Sequence, residues 1–201
     1  MDFKTISAYD SAAAEIAELH KGLVPTRIYA LVHQYFIVGG KCADIGCGIG
    51  RDTSWLANQG FKVVGIDPSI GMLQQARSLF PSIEFTQDSL PFLSTQGDDL
   101  YDNVLCSAVI MHLPRSRITD AARNLVRIMR PGGVIILSYR GTRNVGQRES
   151  GKLYTSLDED ELRRVFVTAG ALLLHSESDR EEQRDLHWTN LVLKKSPSPA
   201  G

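Results

Sequence analysis

The sequence predicts one α/β domain built around a mostly parallel sheet. Three observations lead to this prediction. Short apolar runs alternate with amphipathic stretches, the runs are too short for helices, and Val, Ile, Leu and Phe dominate them. A chain of 201 residues can bury one sizeable core. Alternating strands and helices favour a parallel sheet, because each helix returns the chain to the edge where the previous strand began.

The predicted elements follow from spacing and from helix-end signals. Strands are predicted at 41–46, 61–66, 83–86, 103–107 and 134–139, and amphipathic helices follow Ser69 and Pro114. Ser156–Glu159 has the form of a capping box for a third helix, which Gly170 ends. Only a polar stretch separates two final strands at 171–175 and 187–193, so the last strand is predicted to run antiparallel to its predecessor.

The two ends of the chain differ from this pattern. Residues 1–40 are predicted to form a helical lid segment, with helices at 11–20 and 26–38. The domain itself is predicted to span residues 41–195. Residues 196–201 have the composition of a disordered tail.

Composition excludes several classes of function. Lys and Arg number 22 against 23 Asp and Glu, so no global positive field favours nucleic acid or acidic membranes, and a nucleic-acid partner is disfavoured. The 3 cysteines form no disulfide framework, and no metal-ligand spacing is visible, so we expect no metal. No apolar run approaches the length of a membrane span. We expect a reduced, cytoplasmic protein of unknown oligomeric state.

The first predicted strand runs into a glycine-rich turn. Gly46, Gly48 and Gly50 alternate with other residues immediately before a predicted helix. Such a turn lets a ligand lie against main-chain N–H groups at a helix N-terminus. The third glycine of a dinucleotide fingerprint would stand at Arg51, so this spacing does not match that motif. Asp44, just before the turn, suits a cationic or hydrogen-donating ligand better than a pyrophosphate.

Acidic residues also end the next two strands. Asp67 ends the second strand about twenty residues after the glycines, where a carboxylate can accept from both hydroxyls of a ribose. Asp67 could instead cap the following helix, although Ser69 is the better candidate for that cap. Asp88 follows the third strand and could accept from an adenine amine with Leu90 packed on the ring. Asp88 alone could equally be a turn residue.

These elements, in this order, resemble the class I S-adenosylmethionine-dependent methyltransferases. The matching segments are 44–50, 66–69, 87–91, 101–113 and 125–133, so the resemblance covers most of the chain. It implies S-adenosylmethionine as cofactor and a Rossmann-like, seven-stranded sheet with strand order 3-2-1-4-5-7-6 and an antiparallel last strand. It says almost nothing about the methyl acceptor.

The resemblance also assigns a role to each matching position. Gly46, Gly48 and Gly50 would border the methionine part of the cofactor, with Asp44 near its amino group and Asp67 on the ribose. Asp88, Ser89 and Leu90 would surround the adenine, and Ser107 and Ala108 would line the sulfonium side. Further cofactor contacts are expected from Tyr9, Cys47, Arg51, Pro68 and Met72, although Cys47 could simply be a small core residue and Arg51 could reach the acceptor instead.

His112 follows the fourth strand, at the edge of the sheet where ligands bind in open α/β folds. It could take a proton from a hydroxyl or amine acceptor, or it could only position its loop. The sequence leaves this choice open.

The function predicted on these grounds is methyl transfer to a small molecule by in-line displacement. Acceptor specificity is expected from the N-terminal helices and from the segment 141–155, because both follow the ligand-binding edge. Two alternatives stay open: a module that binds a cofactor or nucleotide without turnover, and a methyltransferase acting on a protein or nucleic acid.

Overall fold

The computed structural model describes residues 1–141, 148–181 and 186–197, without the side chains of residues 21 and 181. Within those ranges the helices are α1 Phe3–Ser11, α2 Ala13–Lys21, α3 Thr26–Tyr35, α4 Arg51–Asn58, α5 Ile70–Leu79, α6 Ile118–Ile128 and α7 Glu159–Thr168. The strands are β1 Lys41–Ile45, β2 Lys62–Asp67, β3 Glu84–Gln87, β4 Tyr101–Ser107, β5 Met129–Arg140, β6 Arg148–Glu149, β7 Lys152–Leu153, β8 Ala171–Glu181 and β9 Leu186–Lys195. None of the described helices is long and apolar enough to cross a membrane.

A seven-stranded sheet organises the chain. Its order is β3-β2-β1-β4-β5-β9-β8, which is 3-2-1-4-5-7-6 when only the strands of this sheet are counted. Strands β1 to β5 pair in parallel, and β9 runs antiparallel to both β5 and β8. This is the mostly parallel α/β fold predicted from the sequence. The small hairpin β6–β7, in the segment after β5, was not predicted.

Apolar side chains of the central strands alternate between the two faces of the sheet, because successive Cβ atoms of a strand point in opposite directions. In β4, Val104 and Cys106 belong to the core under α6 and α7, whereas Leu105 belongs to the core under α3 and α4. In β5, Ile135 and Ile136 divide in the same way. Both faces are therefore covered by helices, and ligands can reach the sheet only at its edges.

The N-terminal segment differs from its prediction. One helix at 11–20 was expected, but α1 and α2 follow each other with a break at Ala12, and α1 begins at Phe3. The Asp2 carboxylate starts α1 by accepting from the amide of Thr5. The segment Phe3–Ser11 lacks a continuous apolar stripe, and Phe3 is 79% exposed, so spacing alone did not indicate this helix. Helix α3 ends at Tyr35 rather than at residue 38.

Two boundaries in the second half also differ. Strand β5 begins at Met129, five residues before its predicted start, and continues through the glycines that were expected to separate helix from strand. Its pairing with β4 changes register between Tyr101 and Asn103, which accommodates those residues. Strand β8 also continues beyond its predicted end, to Glu181. Of the predicted tail, residues 198–201 lie outside the described part of the chain.

The predicted capping box of α7 is wrong. Asp158 is the N-cap, and its carboxylate accepts from the amide of Glu161 at 2.8 Å. Ser156, two residues earlier, is exposed and its carbonyl accepts instead from Arg115. Asp158 takes the position because a carboxylate also interacts favourably with the positive end of the helix dipole.

We expect Asp158→Ala to lower the free energy of unfolding by about 1 kcal/mol, through loss of this cap. Ser156→Ala is the matched control and should change it by no more than roughly 0.5 kcal/mol. Denaturant unfolding of both variants measures the difference. A larger loss in Ser156→Ala would restore the capping-box assignment.

Candidate functional site

The turn between β1 and α4 forms the floor of the site. Gly46, Gly48 and Gly50 have φ angles of 71°, 56° and 79°, a region that side chains other than glycine rarely adopt. A Cβ at Gly46 would lie 2.3 Å from the Val109 side chain, and one at Gly50 would lie 2.7 Å from the ring of Phe85. Backbone conformation therefore favours glycine at all three positions, and close packing adds a second requirement at Gly46 and Gly50.

Asp67 ties this turn to the end of β2. Its carboxylate accepts from the amide of Gly48 at 2.9 Å and from the amide of Ser69 at 2.8 Å. Burial raises the pKa of Asp67 to about 6, while these two backbone bonds act in the opposite direction. Ser69 caps α5 by accepting from the amide of Met72, as predicted. Asp67 is therefore free of the capping role and borders the cavity above the glycine turn.

That cavity, which we call the turn cavity, gathers most of the predicted site. Eleven of the predicted residues line it: Tyr9, Gly46, Cys47, Gly48, Arg51, Asp67, Pro68, Met72, Ser107, Ala108 and His112. It is also lined by residues that were not predicted, namely Met1, Ile6, His20, Ile49, Asp52, Ser69 and Val109. Ile49, Asp52 and Ser69 adjoin predicted positions and could have been found from that proximity. Met1 and Ile6 could not, because helix α1 itself was missed.

Asp44 does not line the turn cavity. Its side chain points into the core, is 2% exposed, and accepts from the hydroxyl of Thr53 at 2.7 Å. Burial, followed by the nearby charge of Asp52, raises the pKa of Asp44 to about 7. The structure therefore places Asp44 beneath the turn as a hydrogen-bond partner of α4, and its predicted contact with the cofactor amino group stays a prediction.

The residues after β3 are also not brought to the turn cavity. The Asp88 carboxylate accepts from the amides of Ser89, Ser94 and Thr95 and from the Thr95 hydroxyl. These bonds organise the loop that follows β3, which is the turn role weighed for Asp88 above. Leu90 is 1% exposed in the core. The adenine contacts expected of Asp88, Ser89 and Leu90 stay predictions, as does the expected contact of Gly50.

A charged cluster stands beside the glycine turn. The guanidinium of Arg51 donates to both carboxylate oxygens of Asp52, at 2.9 and 2.8 Å. The Tyr29 hydroxyl donates to the same carboxylate at 2.9 Å, and the Tyr29 ring stacks on Trp55 at a centroid distance of 3.7 Å. Helix α3 is thus fastened to the start of α4, and Arg51 is held at the mouth of the turn cavity with its charge already paired.

Helix α1 crosses over the turn cavity and is fastened on both sides. The Asp10 carboxylate accepts from the Ser69 hydroxyl at 2.6 Å and from the Gly71 amide at 3.0 Å. On the opposite side, the amide of Leu153 in the β6–β7 hairpin donates to the hydroxyl of Thr5. The predicted site residue Tyr9 sits between these attachments with its hydroxyl directed at His112.

His112 is held in one tautomer. Its Nδ1 lies 2.7 Å from the carbonyl oxygen of Leu153, which can only accept, so Nδ1 carries the proton. The Tyr9 hydroxyl lies 3.2 Å from Nε2 and donates to it. Burial lowers the pKa of His112 to about 4, with Lys152 and Arg140 acting in the same direction. The ring is therefore neutral at physiological pH, with a lone pair on Nε2.

A second cavity opens beside the first, and we call it the outer cavity. It shares Tyr9, His20, Arg51, Ser107, Ala108 and His112 with the turn cavity. Its other walls come from the start of α3, the ends of β5 and β9, and the β6–β7 hairpin. Ala108 lies at the junction with a φ of 60°, and its amide donates a hydrogen bond to the Ser138 carbonyl. Such strain in a non-glycine residue is typical of functional sites.

The chain is similar in sequence to known proteins. Residues 42–133 match the family described as a methyltransferase domain. The ubiquinone biosynthesis O-methyltransferase of Aliivibrio fischeri (strain MJ11) is 29% identical over 129 residues, which are 62% of this chain and 54% of that protein. The methyltransferase GfsG of Streptomyces halstedii is 31% identical over 114 residues, 52% of this chain and 40% of that protein. The chain thus spans about half the length of these curated relatives.

Solved structures agree on the fold. The 1,6-didemethyltoxoflavin-N1-methyltransferase of Burkholderia thailandensis, solved with 1,6-didemethyltoxoflavin and S-adenosylhomocysteine, superposes with a TM-score of 0.76 at 18% identity, over 96% of this chain and 88% of that one. The [4+2]-cyclase SpnF superposes with a TM-score of 0.69 at 18% identity, over 86% of this chain and 81% of that one. The solved structures show that the chain has this fold, and the family match supports the resemblance to the class I methyltransferases that its motifs predicted.

Asp44→Asn should remove a pH dependence of stability. An unfolded Asp ionises near pH 4, whereas the folded Asp44 ionises near pH 7, so stability from this group is present below about pH 4 and lost as pH rises to about 7. Asn keeps an acceptor for Thr53 but cannot ionise. Relative to Asp44→Asn, the wild type should lose about 2 kcal/mol of unfolding free energy between about pH 5 and pH 7. Parallel stability curves for the two proteins would contradict the buried environment assigned to Asp44.

Nitrogen NMR of labelled histidine should identify the His112 ring as the Nδ1–H tautomer, without titration between about pH 5.5 and pH 8. The reasons are its burial and its bond to Leu153. His112→Gln assigns the signal by its loss, and Tyr9→Phe serves as the control that should leave the tautomer unchanged. Titration near the ordinary value of about 6.5 would refute this geometry.

Proposed function

We propose that the protein is an S-adenosylmethionine-dependent methyltransferase that acts on a small molecule. The observation that carries the proposal is the junction of two cavities at Ala108 and His112, one above the glycine turn and one facing the sheet edge. A two-substrate transfer needs such a pair of adjoining sites. The names of the similar proteins, a ubiquinone biosynthesis O-methyltransferase and a 1,6-didemethyltoxoflavin-N1-methyltransferase, support the reaction class and a small acceptor.

The residues of the turn cavity fit the cofactor chemically. Asp67 is a buried carboxylate at the end of β2. Each of its oxygens accepts one hydrogen bond from a backbone amide, so each can accept a further hydrogen bond from a ribose hydroxyl. Gly48 borders the cavity, and a Cβ there would lie 3.2 Å from the Met72 methyl group. Glycine thus leaves space against the main chain for a ligand. Bound S-adenosylmethionine would supply a methyl group activated by a sulfonium.

The work left to the protein is alignment and exclusion of water. Transfer of a methyl group from a sulfonium disperses charge and needs no strong catalytic group. Ser107 and Ala108 border both cavities and would set the approach of the acceptor. His112 presents a neutral Nε2 at the same junction and would take the proton that a hydroxyl or amine acceptor releases as it is methylated. The hydrogen bond from the Tyr9 hydroxyl to Nε2 would break as the acceptor approaches, which leaves the Nε2 lone pair available.

The first forty residues would act as the lid expected from the sequence. Helix α1 covers the turn cavity through Tyr9, and its attachments consist of a few exchangeable hydrogen bonds and the salt bridge between Asp2 and Arg148. A cover of this kind can open to admit ligands and then exclude water from the junction.

A second candidate is a protein of this fold that does not transfer a methyl group. It is supported by the [4+2]-cyclase SpnF, which has this fold and is named for a different reaction. Incubation with S-adenosylmethionine labelled in its methyl group and a metabolite extract discriminates the two candidates. A labelled small molecule supports the methyltransferase, whereas cofactor binding without any labelled product supports the second candidate. Label in protein or nucleic acid would move the acceptor to a macromolecule.

The cofactor site is tested by calorimetry with S-adenosylmethionine and S-adenosylhomocysteine. We expect both to bind the wild type, and Asp67→Ala to weaken binding by roughly 1–3 kcal/mol, because charge-assisted hydrogen bonds to the ribose are lost. Asp160→Asn removes an exposed carboxylate on α7 and is the control that should bind normally. If a folded wild type binds neither compound, the proposed function fails. Unchanged affinity in Asp67→Ala would show that the ribose is held elsewhere.

A further inference from the structure

The outer cavity has an uneven balance of charge. Its charged lining residues are Arg27, Arg51, Arg140, Lys152 and Asp179. Three of the four cations have carboxylate partners: Arg27 pairs with Asp179 at 2.9 Å, Arg51 with Asp52 at 2.8 Å, and Arg140 with Glu149. One cation of the cavity wall therefore has no carboxylate partner among the described residues.

That charge belongs to Lys152. Among the described residues no carboxylate lies within salt-bridge distance of its ammonium group, which stands 4.2 Å from the centre of the Tyr9 ring. The side chain is half-buried. Burial, followed by the charge of Arg140, lowers its pKa, while the more distant charge of Glu15 acts in the opposite direction. An ammonium group in such surroundings gains more from an anionic partner than one in open water, because water competes less for it.

The position of Lys152 relates it to the junction of the two cavities. Its ammonium lies over Tyr9, and the Tyr9 hydroxyl is 3.2 Å from Nε2 of His112. Tyr154, which follows β7 and lines the same cavity as Lys152, packs edge-on against the His112 ring at a centroid distance of 4.7 Å. An anionic group on Lys152 therefore leaves the rest of a small molecule beside Tyr154 and within reach of the junction.

The remaining walls suit a flat apolar body. Leu23 and Val24 line the outer cavity from the connection between α2 and α3, Ile28 lines it from α3, and Met111 lines it from the segment after β4. The Tyr154 ring is fixed in place because the Arg140 guanidinium stacks over it at 3.7 Å. Apolar residues thus line part of the cavity, and Lys152 is the cation of its walls that has no carboxylate partner within the described residues. Such a combination can orient a ligand by a single polar contact.

We propose that the methyl acceptor is a flat, mainly apolar monoanion, an aromatic carboxylate, and that Lys152 binds its carboxylate. This inference rests on the proposed function, since it names the substrate class of the same site. One unpaired cation matches a single negative charge, whereas a phosphate dianion would leave charge unbalanced. Lys152 is a specificity-determining residue and takes no part in the transfer itself.

The test uses matched pairs of probes: benzoate, cinnamate and naphthoate, each against its primary amide. Binding is measured by ligand-observed NMR on protein loaded with S-adenosylhomocysteine, whose own affinity is measured by calorimetry in the same preparations. We expect the wild type to prefer the carboxylates by about tenfold, the effect of one charge-assisted hydrogen bond. Lys152→Met should abolish the preference and Lys152→Arg should retain it. Lys62→Met, at the exposed start of β2, is the control and should behave as the wild type.

Each outcome decides a separate question. Failure of a folded wild type to bind S-adenosylhomocysteine refutes the proposed function. Normal binding of S-adenosylhomocysteine with no preference for carboxylates over amides overturns the inference about the acceptor and leaves the proposed function standing. A preference that survives in Lys152→Met also overturns it. If Lys152→Met weakens S-adenosylhomocysteine as much as the carboxylates, Lys152 only fastens the lid over Tyr9, and the assignment is wrong.

Discussion

The Asp67 carboxylate is the interaction on which the site depends. It joins two backbone turns by accepting from the amides of Gly48 and Ser69, which belong to the connections after β1 and after β2. Those strands are neighbours in the sheet, so one side chain fixes the relative position of both connections. Because the carboxylate is buried, losing either bond would leave one of its oxygens without a hydrogen-bond donor from the main chain, which makes the arrangement rigid. The turn cavity owes its shape to this link.

The two other buried carboxylates of the site, Asp44 and Asp52, are stabilised in different ways. Asp44 is satisfied by a single hydroxyl, and its raised pKa reflects burial near another carboxylate. Asp52 is satisfied by Arg51 and Tyr29, so it connects α3 and α4 and holds the Arg51 guanidinium at the cavity mouth. Two carboxylates close in sequence thus have separate roles, one in the core and one at the ligand edge. The environment of each, and not its residue type, makes this distinction.

The N-terminal helix and the β6–β7 hairpin act on the junction together. The Leu153 carbonyl accepts from Nδ1 of His112, while the Leu153 amide donates to Thr5 of α1. A salt bridge between Arg148 and Asp2 makes a second connection between the hairpin and α1. Movement of either segment therefore changes what surrounds His112 and Tyr9. The cover of the turn cavity and the orientation of its histidine have a common support, which lies outside the sheet.

The sequence alone determined the α/β fold, its strands and the turn at Gly46–Gly50, because apolar period and glycine placement are local properties of the chain. It also indicated Asp67 and His112, since both follow strands that end at the ligand edge. Tertiary structure decided the rest. Spacing could not show that Asp44 turns into the core, because this depends on how α4 packs Thr53 against it. For Asp88 the sequence left two roles open, and the folded loop places the carboxylate on its own backbone amides. The path of α1 over the cavity, and the position of Lys152 away from every carboxylate in the described part of the chain, also depend on contacts between segments far apart in the chain.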